Sequence, residues 1–171
     1  MSNQFPDGVL PEEATDYLHM VRDLPSGPSA VYTAWTDLAR ITSWWGAEGF
    51  VVPPDRIWAH QYVGGNYQAC MVNTISGDEL WWGGEYRILD PPHRLELTQQ
   101  WQQADGSPAG PVRVINVALE ALADRDGPAV TRMMFREGPF PAGRVIEGHE
   151  DAWSEAFRRL AGYLARRRGA E

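Results

Sequence analysis

The spacing of apolar residues changes period along this chain. In the middle it is two: Leu95, Leu97 and Trp101 fall against Glu96, Thr98 and Gln100, and Ile115, Val117 and Leu119 against Asn116, Ala118 and Glu120. That alternation sends one set of side chains to one face of a strand. Turn-forming clusters interrupt it at Gly64-Gly65, Ser76-Gly77-Asp78, Asp90-Pro91-Pro92, Asp105-Gly106-Ser107-Pro108 and Asp124 to Pro128. The stretch from Ile57 to Glu137 therefore reads as consecutive hairpins with about six strands. Near the C-terminus the period becomes helical, with Trp153, Phe157, Leu160 and Leu164 at steps of four, three and four and Ala156 and Ala161 beside them. Glu147, Glu150, Asp151 and Glu155 crowd the first half of this helix and Arg158, Arg159 and Arg166 to Arg168 the second. That order complements the helix dipole, and Glu155 with Arg159 forms an i,i+4 pair.

Ahead of the hairpins, residues 1 to 16 are polar and proline-bearing, without a clear period, and read as a loose lead-in. A first strand is expected over Tyr17 to Leu24, ending at the turn Pro25-Ser26-Gly27-Pro28, where Ser26 or Ser29 could cap a helix over Ala30 to Trp35. Asp37 can cap a second short helix with Leu38, Ile41, Trp44 and Trp45 on one side, and Gly46 and Gly49 end it. The plan is α+β: a curved antiparallel sheet of about seven strands, two short helices after the first strand, and one long closing helix. One helical stripe covers only part of such a sheet, so the sheet must curl around it. A single domain over residues 17 to 168 is expected, with any cavity between the sheet's concave side, the closing helix and the short helices.

Composition narrows the function. At 171 residues the chain suits one domain. Its apolar residues are spread out, with no run near the roughly 20 needed to span a membrane, and its first residues do not resemble a signal peptide, so a cytoplasmic location is expected. Cys70 is the sole cysteine, which rules out an internal disulfide or a cysteine-based zinc site within one chain. A formal net charge of -8 opposes binding to nucleic acid or anionic membranes. The one basic run, Arg166-Arg167-Arg168, suits a helix end. All fifteen basic residues are arginines, so Schiff-base chemistry, a pyridoxal-phosphate anchor and a lysine-containing phosphate loop are excluded.

Eight tryptophans give the interior its character. Trp44, Trp45, Trp101 and Trp153 lie on elements that the architecture brings together, and indole faces suit a pocket for flat or greasy molecules. Trp81 and Trp82 are adjacent on a strand, so only one faces inward; Tyr86 shares a face with Trp82, which selects Trp82. Tyr67, Tyr86 and His149 are the candidate polar groups, able to orient a ligand carbonyl or exchange a proton with it. His149 sits one helical turn before Trp153, on the stripe expected to be buried. No metal site is expected, because His19, His60, His93 and His149 show no paired spacing. Cys70 lies mid-strand among apolar neighbours, where a thiol is inert.

A set of short motifs adds a family likeness. Ala34 to Asp37 is followed by Trp44-Trp45-Gly46, then Gly64-Gly65-Asn66-Tyr67 with Met71, Gly84-Glu85-Tyr86, Pro91-Pro92-His93-Arg94-Leu95 with Thr98 and Trp101, Thr131-Arg132-Met133, and His149 with Trp153. In order and spacing, from about Tyr17 to Leu164, the chain resembles the activator of heat-shock protein 90 ATPase homologue-like family. That family lies within the START-like superfamily, alongside polyketide cyclases and lipid-transfer domains. Two departures stand out: the usual Gly-Thr before the last strand is represented only by Thr131, and the segment after Trp101 is lengthened by Gln103 to Pro111. The resemblance implies a helix-grip fold with an apolar internal cavity, to whose lining Met71, Phe135 and Phe157 are added. The expected function is binding of a small hydrophobic or aromatic molecule without a cofactor. A cyclase or dehydratase using His149 or Tyr86 on a polyketide-like substrate is the alternative, as is a co-chaperone-like module that binds a protein; a homodimer is also compatible.

Overall fold

The computed structural model describes residues 16–122, 126–141 and 145–170. Residues 1–15 of the expected lead-in, and Asp124 and Arg125 of the expected turn, lie outside them. The chain runs β1 (Asp16–Leu24), α1 (Pro28–Thr36), α2 (Leu38–Ile41), β2 (Phe50–Val51), β3 (Ile57–Ala59), β4 (Asn66–Asn73), β5 (Glu79–Asp90), β6 (Arg94–Gln102), β7 (Arg113–Leu122), β8 (Val130–Phe140) and α3 (Val145–Arg168). All strands join one antiparallel sheet in the order β1-β8-β7-β6-β5-β4-β2, with β3 also pairing β4. The sheet is curved and α3 lies in its concave face, a helix-grip arrangement. Eight strands stand where about seven were expected. The extra one is β2, whose two residues pair with Val72 and Asn73 and are too short to show a period.

Local chemistry explains where the elements begin and bend. Neither Ser26 nor Ser29 caps α1; Gly27 occupies the cap position and Pro28 the first turn, where its fixed φ suits a helix and no N–H is needed. Ser26 serves instead through its carbonyl, which accepts the Thr131 hydroxyl at 2.7 Å. Asp37 does cap α2, its Oδ1 accepting the backbone N–H of Ala39 at 2.9 Å and of Arg40 at 3.3 Å. At Gly46, φ is +133°, a conformation costly for any residue with a Cβ, and the path turns away from α2 there. On β5, a Cβ at Gly84 would lie 2.0 Å from the Thr98 carbonyl oxygen, so glycine permits the close approach where the sheet coils between β5 and β6.

The helical stripe is buried as its period requires, from Trp153 and Phe157 to Leu160 and Leu164. The aromatic side chains interlock around it: ring centroids lie 4.8 Å apart for Trp35 and Trp44, 5.1 Å for Trp45 and Trp153, and 4.6 Å for Phe135 and Trp153. Arg159 reaches out of α3 to the loop after α2, donating to the carbonyls of Gly46, Ala47 and Phe50 at 3.3–3.4 Å. Its Nε also meets Glu155 at 3.2 Å, the pair expected from spacing. No helix among the described residues is long and apolar enough to cross a membrane.

Candidate functional site

Trp45 borders two spaces on the inner side of the sheet. On one side is a narrow remnant of about 20 Å³ among Trp35, Tyr67, Trp82, Tyr86 and Leu97, room for little more than one water. On the other is a groove of about 280 Å³ that opens to solvent. Its floor is Met71 on β4, Leu80 on β5, and Gln99 and Trp101 on β6; its roof is the first half of α3 and its rim is Gly46 and Ala47. The roof owes its height to three small residues at steps of four, Gly148, Ala152 and Ala156, which face the groove beside His149 and Trp153.

Of the residues singled out from the sequence, Trp45, Met71, Trp101, His149 and Trp153 meet in the groove. Tyr67, Trp82 and Tyr86 meet instead at the narrow remnant. Trp82 is the inward member of its pair, with Trp81 half-buried. Trp44, Phe135 and Phe157 line neither space. Trp44 is wholly buried, packed edge-on against Trp35, and its Nε1 donates to the Ala34 carbonyl at 2.9 Å, so it braces α1 rather than walling a cavity. Phe135 and Phe157 are held in the ring cluster with Trp35 and Trp153. Large rings thus fill most of the interior expected to be a cavity, and the groove lies at one end of the sheet.

This separation parts the two candidate proton-transfer groups, since Tyr86 and His149 face different spaces. Tyr67 donates its hydroxyl to the Thr98 carbonyl at 2.7 Å, and burial pushes its pKa well above the usual tyrosine value, with Tyr86 and Glu137 adding to the rise. Burial likewise raises Tyr86, despite an opposing hydrogen bond with Gln61. Both hydroxyls hold their protons at neutral pH. Burial is also the main cause of a raised Cys70 thiol, which keeps that residue in its unreactive form.

Three polar residues on the inner face were missed. Gln99, Arg113 and Glu137 are all nearly or fully buried beneath the first turns of α3. Gln99 and Arg113 stand directly opposite each other on β6 and β7. Glu137 on β8 accepts from Arg113 Nε at its Oε1, 3.2 Å, and from Trp153 Nε1 at its Oε2, 2.8 Å, and His149 Nδ1 lies 3.4 Å from the same Oε2. This carboxylate fixes the face that Trp153 turns to the groove and stands beside His149. Arg113 also lies over the Phe140 ring, at 5.3 Å from its centroid. Two buried atoms in this cluster have no hydrogen-bond partner among the described residues, Gln99 Oε1 and Arg113 Nη2. The signal for all three residues was the strand period itself: each is two places from an inward Leu97, Ile115 or Phe135.

The lengthened segment after Trp101 turns back along the end of β6. Ala109 N–H bonds the Trp101 carbonyl at 2.8 Å and the Gln100 amide donates to the Gly110 carbonyl at 2.7 Å, so this insertion braces the strand that carries Trp101. Among the described residues there is no cluster of three or more metal-ligating side chains.

Residues 26–165 match the family described as Activator of Hsp90 ATPase homolog 1-like protein. The chain belongs to this family. Its fold is shared by the AHSA1 protein of Silicibacter pomeroyi, with a TM-score of 0.73 at 22% identity over 88% of this chain and 98% of that one. A Chromobacterium violaceum protein aligns with a TM-score of 0.71 at 23% identity, over 87% of this chain and 97% of that one. An Arthrobacter aurescens protein aligns with a TM-score of 0.75 at 19% identity, over 94% and 92%. At these identities the likeness is one of fold: the family's START-like frame is established, and the groove's own residues carry what is particular to this member. No curated protein matches the chain.

Proposed function

We propose that this family member binds a small, largely aromatic molecule in the groove beneath the first half of α3. The observation that carries this reading is the groove itself, about 280 Å³ walled by Trp45, Met71, Trp101 and Trp153 and open at one end. That volume sits at the lower edge of the range for small-molecule sites, about 300–1,000 Å³, which favours a ligand of one or two rings. Indole faces supply apolar area with little loss of side-chain freedom, because these rings are already fixed by their neighbours. Titrating one- and two-ring compounds against the protein while following tryptophan emission tests the reading. Saturable changes that disappear in Trp101→Ala support it; a flat response across the panel removes it.

A second reading, proton transfer on such a ligand, draws on the pairing of His149 with Glu137. A carboxylate beside Nδ1 orients the imidazole and leaves Nε2 to give or take a proton. If a ligand identified by the titration is chemically converted, His149→Ala should slow conversion by about 10²-fold or more, and an unchanged rate excludes His149 from that role.

A further inference from the structure

The lengthened segment after Trp101 does more than brace β6. It folds back as a short hairpin, in which Gln103 N–H bonds the Ser107 carbonyl at 2.8 Å and Gly106 N–H the Gln103 carbonyl at 2.9 Å. Its tip, Asp105 and Gly106, walls a hollow of about 410 Å³. This hollow lies on the outer face of the sheet: its amides Gln68 and Gln102 alternate along their strands with the inward Tyr67, Ala69 and Trp101. Side chains on β3, β4 and β6 are joined there in one chain of hydrogen bonds that crosses β5. Trp58 Nε1 donates to Gln68 Oε1 at 3.3 Å, and Gln68 Nε2 donates to Gln102 Oε1 at 3.2 Å. Gly83 on β5 makes the crossing possible, because a Cβ there would lie 2.7 and 2.8 Å from the two amide atoms of Gln102. The Trp58 ring is tethered by this bond and packs against His60, with centroids 5.3 Å apart, yet it stays 45% exposed.

We propose that this hollow is a second binding site, for one ring of an uncharged sugar, stacked by its C–H face on Trp58 with its hydroxyls on the Asn66 and Gln102 amides and the Glu85 carboxylate. A tethered indole offers apolar area at little cost in side-chain freedom. With its Oε1 engaged, Gln102 keeps Nε2 as a donor, Asn66 adds a donor and an acceptor, and Glu85 and Asp105 add acceptors. A sugar ring answers such a mixed set, because each of its hydroxyls both donates and accepts. Among the described residues, none that lines the hollow is an arginine, lysine or histidine, so an anion would meet only negative charge on a chain of net charge -8. A cation would answer the carboxylates and give the amide donors no acceptor. A plain hydrocarbon ring would leave every amide unanswered. The groove beneath α3 lies on the opposite face of the sheet, so the two sites stand or fall separately.

The test titrates the full chain with the methyl glycosides of glucose, galactose, mannose, xylose and N-acetylglucosamine, followed by nitrogen–proton correlation spectra with the indole and side-chain amide signals assigned. We expect at least one glycoside to shift the Trp58 indole and the Asn66 and Gln102 amide signals saturably, while the Trp45, Trp101 and Trp153 indole signals stay in place. Trp58→Ala should weaken that glycoside about tenfold or more, read from the Asn66 amide, and Gln102→Leu about threefold to tenfold. Trp58→Leu, which keeps bulk without the ring, takes the place of Trp58→Ala if the latter does not fold. Still signals across all five glycosides overturn the proposal. Shifts confined to Trp45, Trp101 and Trp153 overturn it too, since the sugar then sits beneath α3. Choline and glucuronate are the charge controls, and tighter binding by either than by every glycoside overturns the choice of a neutral ring. Unchanged affinity in a folded Trp58 variant overturns the stacking assignment.

Discussion

The two sides of Trp45 are built from similar rings and end up differently filled. On the narrow side, Trp35, Trp82, Tyr67 and Tyr86 converge until only about 20 Å³ is left, and the Tyr67 hydroxyl is satisfied inside the protein. On the wide side the helix presents Gly148, Ala152 and Ala156 where it could have presented larger residues, over a floor of Met71, Leu80, Gln99 and Trp101. Bulk against bulk gives a packed core. Small residues on one wall leave room. Aromatic content alone does not make a pocket; what the rings face decides it.

The largest blow to this contrast should come from Glu137→Ala. It leaves the Arg113 guanidinium and the Trp153 N–H buried without their carboxylate, and we expect urea unfolding to show a loss of about 3–5 kcal/mol. The paired replacement Arg113→Leu with Glu137→Leu should recover most of that loss, since an apolar pair removes both charges together. On the narrow side, Tyr67→Phe should cost about 1–2 kcal/mol by removing the hydroxyl's bond to the Thr98 carbonyl. It should also change the alkaline limb. The folded pKa of Tyr67 lies well above its unfolded value near 10, so the fold favours the neutral hydroxyl; stability is whole below about pH 10 and falls as pH rises from there towards the folded pKa. In Tyr67→Phe that fall should be shallower, and an unchanged slope would contradict the assignment. Gly148→Ala should raise stability by about 0.5–1 kcal/mol, because nothing lies within 4 Å of the added Cβ and glycine is a poor helix former. The smallest stability change is expected for Ala152→Leu, within about 0.5 kcal/mol. Its side chain should occupy the groove, and loss of the tryptophan response to one- and two-ring compounds is the readout.

Much of the frame was legible because its signals are periodic. Leu95 and Leu97, Ile115, Val117 and Leu119, and the Trp153 to Leu164 stripe are buried where their periods place them. Asp37 and the choice of Trp82 over Trp81 followed from equally local rules. β2 was hidden because a two-residue strand has no period. The site was legible by half. Trp45, Met71, Trp101, His149 and Trp153 do face one space, but Trp44 differs from Trp45 only in which way the turn after α2 points its ring, and this is set by contacts with Trp35 and Ala34 far from the local pattern. Gln99, Arg113 and Glu137 stood at inward positions all along. Their polarity hid them, because alternation is read from apolar residues and a polar residue on the inner face looks like an interruption.

The bond from Arg159 to the Gly46, Ala47 and Phe50 carbonyls has a mechanical consequence. Gly46 and Ala47 edge the groove, α3 roofs it and Phe50 lies on the edge strand β2, so one guanidinium ties edge, roof and sheet margin together. Widening the mouth then requires that three hydrogen bonds to one side chain be released together. The aperture is set by a latch about one turn beyond the roof, at a residue that does not itself line the groove.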